Sequence, residues 1–333
     1  MSDMAKIVRF HSTGDAEVLK IEEHPLPQPA PGEVRLRVHA IGVNRAEVMF
    51  RKGRYLADPR LPSKIGYEAS GIVDAVGMGV DAELIGKKFS TIPCFDMSRY
   101  GVYGDVAIVP AYALAAYPEA LSFAEGTSIW MQYLTAYGAL VHYGKVSRGD
   151  HVLITAASSS VGIAAIETTK AQGAISIAVT RTAKKESALR ELGADHVIVT
   201  DKEDLPTRVQ EITQGHGARV VFDPIGGPGI EQLAAAVANQ GIIFEYGALS
   251  SEPTPYPLFT ALAKGFSIRG YTLFELTSAP HTLAQGVKYV YEQLNNKVFK
   301  PKIARTFTLE QIVEAHRYME SNEQIGKIVI LVS

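Results

Sequence analysis

The residues that could do chemistry in this chain of 333 residues begin with a run of small side chains, Ala156-Ala157-Ser158-Ser159-Ser160-Val161-Gly162. The run lies between an apolar, strand-like segment and a helical pattern. A tight turn of small residues in that position presents backbone N–H groups that can bind a pyrophosphate. Ala157 and Ser159 stand where a G-x-G-x-x-G pattern has its first two glycines, and Gly162 supplies the third. The turn therefore predicts a dinucleotide site, and a plain serine-rich turn with Ser160 as helix N-cap is the alternative.

Three cations follow the next apolar segment, which ends at Thr180: Arg181, Lys184 and Lys185. An NAD site needs an acidic residue near this point to bind the ribose 2′-hydroxyl, and the first acid is Glu186. A 2′-phosphate suits three cations better, with Arg181 as the bidentate partner and a lysine in support. The pattern favours NADPH, although at least one of the lysines is also explained as a solvated helix start.

The elements that must position these residues alternate regularly from His151 onward. Apolar strands are predicted at 151–155, 175–180, 196–200, 220–223 and 242–246, and helices at 161–172, 183–192, 205–213 and 230–238. Such alternation is typical of a parallel sheet covered by helices. We therefore predict an α/β domain with a doubly wound sheet.

The chain before Pro118 has a different rhythm. Residues 34–40 alternate apolar and charged side chains, the period of a half-buried strand, and glycines at 86, 101 and 104 separate further short strands. This region is expected to be β-rich. The last predicted strand, Ile328 to Val332, needs a sheet to join, and the β-rich region is one candidate.

Composition excludes several classes of function. The formal net charge of −2 gives no basic surface for nucleic acid, and no apolar run reaches the roughly 20 residues that span a bilayer. The single cysteine, Cys94, excludes an intrachain disulfide and a thiolate metal cluster. We expect a cytoplasmic protein with no nucleic-acid or membrane partner.

Five motifs together resemble the zinc-free quinone oxidoreductase branch of the medium-chain dehydrogenase/reductase superfamily. They are Gly42-Val43-Asn44-Arg45-Ala46-Glu47, Arg51-Lys52-Gly53-Arg54-Tyr55, Gly66-Tyr67-Glu68-Ala69-Ser70-Gly71, Leu134-Thr135-Ala136-Tyr137, and the stretch from Gly149 to Lys170. In the last stretch Ser159-Ser160 replace a Gly-Gly pair and Glu167 replaces a glutamine. The resemblance covers essentially the whole chain.

This resemblance implies a fold of two domains. A GroES-like β-rich catalytic domain is expected at 1–122, completed by 273–333, and a Rossmann domain that binds NADPH at 123–272. Relatives often dimerise through the last Rossmann strands, here near Ser267 to Tyr271, so a homodimer is expected.

The resemblance also implies roles for single residues. Asn44 is expected beside the nicotinamide ribose and ring, Thr135 facing the nicotinamide, and Tyr55 in the substrate cleft as a candidate proton donor. A turn amide and a packing tyrosine are the alternatives for Asn44 and Tyr55. The expected cofactor-binding set is Asn44, Thr135, Ser158, Ser159, Ser160, Val161, Gly162, Thr180, Arg181, Lys185, Gly247, Ala248, Leu249 and Leu273, and the expected substrate-cleft residues are Arg45, Tyr67 and Phe274.

The expected chemistry depends on the absence of a metal site. Zinc-dependent relatives place cysteine where this chain has Asn44 and histidine where it has Tyr67, and amide and phenol groups are poor zinc ligands. Quinones and α,β-unsaturated carbonyls accept hydride without a Lewis acid, because conjugation delocalises the charge. We therefore expect an NADPH-dependent quinone or enone reductase. Enoyl thioester reduction, or an NADPH-binding sensor or structural role with little turnover, are the alternatives.

Overall fold

The computed structural model describes residues 3–332 and divides the chain into two compact units. The first unit comprises the residues up to Met131 and those from Pro301 onward, and the second comprises Gln132–Lys300. Among the described residues, no helix is both long and apolar enough to cross a bilayer.

The first unit is rich in strands, as expected. Up to residue 131 its strands are β1 (Met4–Phe10), β2 (Lys20–Pro25), β3 (Glu33–Val43), β4 (Ser63–Lys64), β5 (Glu68–Val76), β6 (Lys88–Thr91), β7 (Val106–Pro110) and β8 (Leu114–Ala115). Its helices there are α1 (Arg45–Arg51), α2 (Met97–Tyr100) and α3 (Phe123–Gly126), with 3₁₀ turns at Ala16–Val18, Ala82–Leu84 and Ala111–Ala113.

The second unit contains the predicted alternation of strands and helices. Its strands are β9 (His151–Ile154), β10 (Ile175–Thr180), β11 (His196–Val199), β12 (Ala218–Asp223), β13 (Val237–Glu245) and β14 (Ser267–Gly270). Its helices are α4 (Trp130–Ala136, starting just before the boundary), α5 (Ser160–Ala171), α6 (Glu186–Glu191), α7 (Leu205–Ile212), α8 (Ile230–Ala236), α9 (Leu258–Lys264), α10 (Leu273–Thr277) and α11 (Pro280–Asn295). A π-helical turn at Tyr137–Tyr143 extends α4, and 3₁₀ turns lie at Ala183–Lys185 and Gly227–Gly229.

All six strands of the second unit form one parallel sheet in the order β11-β10-β9-β12-β13-β14. This is the doubly wound order, and the predicted Rossmann fold is confirmed. The strands bury Leu153, Ile177, Val221 and Ile243 completely, which explains why their sequences read as continuous apolar runs.

The last segment of the chain returns to the first unit. It forms β15 (Ile303–Thr308), a 3₁₀ turn at Leu309–Gln311, α12 (Ile312–Ser321) and β16 (Lys327–Leu331). Strand β16 pairs antiparallel with β3 in a sheet of order β15-β16-β3-β5-β6-β8, while β7 also pairs with β3 and a smaller sheet has the order β2-β1-β4. The prediction that the last strand completes the N-terminal β-rich region is confirmed.

The unit boundaries differ from those expected after residues 122 and 272. Helices α10 and α11, which the sequence assigned to the first domain, pack within the second unit. Gly286 of α11 lies so close to Leu134 that an added Cβ would approach its side chain to 2.9 Å. The rings of Tyr289 and Tyr137 are 4.9 Å apart. The core around α4 therefore places the second boundary at residue 300.

Candidate functional site

In the second unit, the small-residue turn joins β9 to the start of α5. Ser159 is the N-cap of α5, since its Oγ accepts a hydrogen bond from the Gly162 N–H at 3.0 Å. The N-cap is therefore Ser159 and not Ser160, which the alternative had named. Ser160 and Val161 are the first two residues of the helix. A Cβ on Gly162 would lie 2.6 Å from the Ala157 Cα, so only glycine fits where the helix crosses the turn. The first turn of this 12-residue helix offers backbone N–H groups to an anion.

One of the predicted cations lies against this turn. The Lys185 Nζ is 3.0 Å from the Ser158 Oγ. Arg181 and Lys184 are exposed just beyond the end of β10, where Thr180 is buried. The geometry thus distinguishes Lys185 from Lys184, because only Lys185 is seen to reach this turn. We call the turn, residues 156–162, the phosphate loop.

The carboxyl ends of β9 and β12 meet where the strand order reverses, the usual ligand site of a doubly wound sheet. Asp223 ends β12 there and is almost fully buried. Its carboxylate accepts hydrogen bonds from the Thr155 Oγ1 and from the backbone N–H groups of Ile225 (3.0 Å) and Gly226 (2.7 Å). Asp223 thereby fixes the loop after β12.

Glu245 ends the neighbouring strand β13 and is paired in register with Asp223. Burial raises the pKa of Glu245 well above its ordinary value, and the adjacent Asp223 carboxylate raises it further. Glu245 therefore keeps its proton to a higher pH than an ordinary glutamate does. This acidic pair is part of the candidate site that sequence reasoning missed.

The loop after β13 contains three of the expected cofactor residues: Gly247, Ala248 and Leu249. All three are exposed, and the Leu249 N–H donates to the Pro224 carbonyl at 3.1 Å. A Cβ on Gly247 would lie 2.7 Å from that carbonyl oxygen. The structure therefore joins the loops after β12 and β13 at the carboxyl edge of the sheet.

Three other expected residues of this unit lie on helices. Thr135 is buried on α4. Leu273 is buried at the start of α10, and Phe274 beside it is half-buried.

In the first unit, Asn44 lies in a buried polar cluster that we call the Asn44 cluster: Asn44, Glu47, Glu68 and Lys327. The Asn44 Oδ1 accepts from the Lys327 Nζ at 2.6 Å. Its Nδ2 donates to Glu47 at 3.1 Å and to Glu68 at 3.2 Å. Lys327 also forms an ion pair with Glu68, and the exposed fractions of the two side chains are 0% and 1%. The amide of Asn44 is therefore oriented by three charged neighbours.

Glu47 ties this cluster to the backbone. Its carboxylate accepts from the Asn44 N–H at 2.7 Å and from the Tyr67 N–H at 3.1 Å. Complete burial raises the pKa of Glu47 to about 7, although Lys327, Asn44 and the Tyr67 N–H act in the opposite direction. Glu47 is thus near its titration point at neutral pH.

The remaining predicted residues of this unit take two different places. Tyr55 follows α1, and its ring meets the edge of the Phe50 ring with centroids 6.4 Å apart, while Tyr67 is 4% exposed. Arg45 points to the end of α12, where its guanidinium donates to the Met319 carbonyl at 2.6 Å and to Asn322. Asn44, Tyr55 and Tyr67 thus lie around Glu47. Arg45 instead binds the end of α12.

The Asn44 cluster does not fit a zinc ion. Its amide is a poor zinc ligand, and its two carboxylates already accept from the Asn44 amide, with the Lys327 ammonium in contact with Asn44 and Glu68. Among residues 3–332, no group of three or more His, Cys, Asp or Glu side chains is arranged to hold a metal.

Comparison with known proteins agrees with this architecture. The family described as alcohol dehydrogenase GroES-like domain matches residues 30–119, and the family described as zinc-binding dehydrogenase matches residues 160–298. Quinone oxidoreductase 1 of Escherichia coli (strain K12) is 31% identical over 338 residues, which cover 98% of this chain and 100% of that protein. This chain belongs to the quinone oxidoreductase branch of the medium-chain dehydrogenase/reductase superfamily.

Two further relatives of this quinone oxidoreductase family member carry information on ligands. The crystal structure of the Escherichia coli quinone oxidoreductase in complex with NADPH has a TM-score of 0.89 and 28% identity, covering 98% of this chain and 100% of that one. The 2-haloacrylate reductase of a Burkholderia species is 30% identical, covering 98% of both chains.

The residues of the second unit fit a nicotinamide dinucleotide phosphate. The helix start of α5 suits the pyrophosphate, Gly162 lets the helix pack closely on the turn, and Lys185 adds a cation at the same turn.

Several residues of the candidate site in this quinone oxidoreductase family member escaped sequence reasoning: Glu47, Glu68, Lys327, Asp223 and Glu245. Glu47 and Glu68 lie inside two of the motifs that carry the family resemblance, so their place in the sequence could have identified them as candidate site residues. Asp223 and Glu245 both close apolar strands of a parallel sheet, which also brings them to one edge. Lys327 gave the weakest signal, because a lysine at a strand start is ordinarily exposed.

Proposed function

We propose that this chain is an NADPH-dependent reductase of quinones and other α,β-unsaturated carbonyl compounds, acting in the cytoplasm. The observation that carries the proposal is the contact of Lys185 with the phosphate loop at Ser158, in a chain that matches quinone oxidoreductase 1 over its whole length. A cation at that loop, with Arg181 exposed nearby, suits the 2′-phosphate that distinguishes NADPH from NADH.

The substrate class is supported by the Asn44 cluster and by the relatives. A quinone and a 2-haloacrylate both carry a carbon–carbon double bond conjugated to a carbonyl or carboxyl group, and these are the substrates that the two relatives' names state. Such a substrate accepts hydride at carbon while the charge moves to oxygen. The Asn44 cluster fixes the Asn44 amide, and no Lewis acid is required for such a transfer.

Asn44 and Tyr55 are the residues to which we assign roles in this reaction. Asn44, held by Lys327, Glu47 and Glu68, positions the nicotinamide ribose through a fixed amide. The Tyr55 hydroxyl donates to the substrate oxygen, where negative charge develops. NADPH, when bound, supplies the hydride.

We assign the remaining cofactor contacts to the second unit. The start of α5 and Lys185 hold the phosphates, and the backbone of Gly247–Leu249 meets the carboxamide. Thr135 and Leu273 are assigned to the nicotinamide face.

We also propose that the protein is a homodimer joined through the edge strand β14, near Ser267 to Tyr271. Strand β14 is the last strand in the sheet order, so one of its edges pairs with no other strand of residues 3–332. The neighbouring helix α9 exposes large apolar side chains, with Phe259 85% and Leu262 71% exposed. A second copy of the chain covers such an edge. Light scattering on a size-exclusion column distinguishes a 72 kDa dimer, twice the 36.0 kDa chain, from a monomer.

The function is tested by the oxidation of NADPH, with NADH in parallel, against four substrates. They are an ortho-quinone, 2-cyclohexenone, an enoyl-coenzyme A, and an aliphatic alcohol with oxidised cofactor. We expect rapid NADPH oxidation with the quinone or the enone and no alcohol oxidation. Turnover of the enoyl thioester alone indicates fatty-acyl chemistry. NADPH binding without turnover of any substrate indicates a sensor or structural role.

A further inference from the structure

Helix α5 carries a carboxyl group to which the proposed function gives no role. Glu167, which replaces a glutamine in the family motif, lies about two turns beyond the start of that helix. Its Oε2 accepts a hydrogen bond from the Tyr133 O–H at 2.7 Å, and the Lys300 N–H donates to its two oxygens at 3.3 and 3.4 Å. One side chain of α5 therefore binds both α4 and the segment that follows α11.

Tyr133 keeps its proton and remains the donor of the first hydrogen bond. Its side chain is fully buried, and burial together with the charge of Glu167 raises the pKa of its phenol well above the ordinary value. Burial raises the pKa of Glu167 to about 7, while the Tyr133 O–H, the Lys300 N–H and the charges of Lys300 and Lys170 act in the opposite direction. A carboxylate and a neutral carboxyl both keep an oxygen that accepts from Tyr133, so the bond forms on either side of this titration.

The ring of Tyr133 is held independently of its hydroxyl. It stacks on Phe299 with the centroids 4.4 Å apart and the planes at 10°, and Phe299 is itself buried. Tyr289 meets the edge of Phe299 at 6.0 Å, and the Tyr289 hydroxyl accepts from the Gln172 Nε2 at 2.9 Å. Removing the Tyr133 hydroxyl alone therefore leaves this aromatic packing filled.

The two helices that this hydrogen bond joins carry different parts of the proposed cofactor site. The phosphate loop leads into the first turn of α5, and Thr135, which we assign to the nicotinamide face, lies two residues after Tyr133 on α4. A dinucleotide that contacts both helices takes one position only if the spacing between them is fixed. A shift of about 1 Å is enough to slow a transfer that depends on alignment.

We propose that Glu167 is a positioning residue for the cofactor, which fixes the spacing between the phosphate loop and Thr135 by binding Tyr133. This inference rests on the proposed function, in which the start of α5 holds the phosphates of NADPH and Thr135 lies at the nicotinamide. It predicts a defect that depends on the ligand. A ligand that contacts both helices is affected by loss of the bond, whereas one that ends at the phosphate loop is not.

The test is Tyr133→Phe, which keeps the ring and removes the hydroxyl, with Tyr289→Phe as the matched control. Tyr289 also gives up one hydrogen bond to α5, at its C-cap Gln172, but belongs to α11 and not to α4. Calorimetric titration measures the Kd for NADPH and for 2′-phosphoadenosine diphosphate ribose, which is NADPH without its nicotinamide. Steady-state kinetics with 2-cyclohexenone at saturating NADPH measure kcat.

We expect Tyr133→Phe to raise the Kd for NADPH about fivefold to tenfold and to lower kcat about tenfold, while the Kd for the fragment stays within about twofold. Tyr289→Phe should behave as the parent with both ligands. Two variants of Glu167 extend the test. Glu167→Gln keeps an amide oxygen that accepts from Tyr133, whereas Glu167→Met has no such acceptor. Glu167→Met should therefore match Tyr133→Phe, and Glu167→Gln should raise the Kd for NADPH less than Glu167→Met does.

Three results would overturn the inference: equal increases in Kd for NADPH and for the fragment, an equal defect in Tyr289→Phe, or no defect in Tyr133→Phe. If Tyr133→Phe does not fold, the two variants of Glu167 decide the matter, and an equal Kd for NADPH in both would overturn it. A parent protein that binds no NADPH contradicts the proposed function itself. A parent that binds NADPH, with Tyr133→Phe unaffected, removes only the role of Glu167.

Discussion

Each unit of this reductase holds a pair of neighbouring carboxyl groups, and the two pairs have different surroundings. In the first unit the Lys327 ammonium forms an ion pair with Glu68, and the Asn44 amide donates to both Glu47 and Glu68. In the second unit Asp223 and Glu245 lie side by side on β12 and β13. Within residues 3–332, no Lys, Arg or His forms an ion pair with either member of this second pair.

The difference shows two solutions to the cost of burying like charges. Lys327 forms an ion pair with Glu68, and its charge opposes the rise in the pKa of Glu47 that burial causes. In the second pair the neighbouring Asp223 acts in the same direction as burial, and both raise the pKa of Glu245.

The largest expected effect comes from removing the cation of the first pair. Lys327→Met leaves Glu68 and Glu47 buried without an ammonium, so the free energy of unfolding should fall by about 3–5 kcal/mol. Urea unfolding followed by circular dichroism measures the change. The double variant Lys327→Met/Glu68→Leu should recover much of the loss, because it also removes the Glu68 carboxylate, which the single variant leaves buried without its counter-ion. A single-variant loss below about 1 kcal/mol would show that the first pair is not held by its cation.

The next largest effect concerns the lysine of the second unit. Lys185→Ala should raise the Kd for NADPH by about tenfold to a hundredfold, the equivalent of one lost charge-assisted hydrogen bond. The Kd for NADH should change by less than about threefold, and Arg181→Ala should show the same selectivity. Lys184→Ala is the control, since Lys184 is exposed in the same segment. Cofactor fluorescence titration measures all four proteins, and equal effects on both cofactors would remove these cations from the 2′-phosphate site.

The effect that is smallest over any one pH unit is a pH dependence of stability that arises in the second pair. The pKa of Glu245 is higher in the folded than in the unfolded chain, so the folded state binds more protons above about pH 4.5. The stability of the parent should therefore fall, relative to Glu245→Gln, as pH rises from about 4.5 toward the folded pKa, by at most about 1.4 kcal/mol per pH unit. Glutamine retains an N–H donor toward Asp223. A difference that stays flat, or that grows in favour of the parent with rising pH, would show that the second pair does not share a proton.

The regular parts of the fold could be predicted because each strand carries its own apolar pattern. Strand β10 has the predicted bounds, Ile175–Thr180, and the last strand joins β3 as expected. Helices α10 and α11 were expected in the first domain but pack within the second unit. Their apolar faces do not reveal which core they pack against. The Asn44 cluster could not be predicted either, since Lys327 lies 283 positions from Asn44 in the sequence. Local patterns carry no information about contacts across such a distance.

The most direct test of the proposed reaction follows the hydride itself. The protein is given 2-cyclohexenone and NADPH carrying deuterium at the transferred position of C4, and the product is analysed by NMR. We predict cyclohexanone with deuterium on the β-carbon and none on the carbonyl carbon. Deuterium on the carbon that bears oxygen, in an allylic or saturated alcohol, would contradict the reduction of conjugated double bonds.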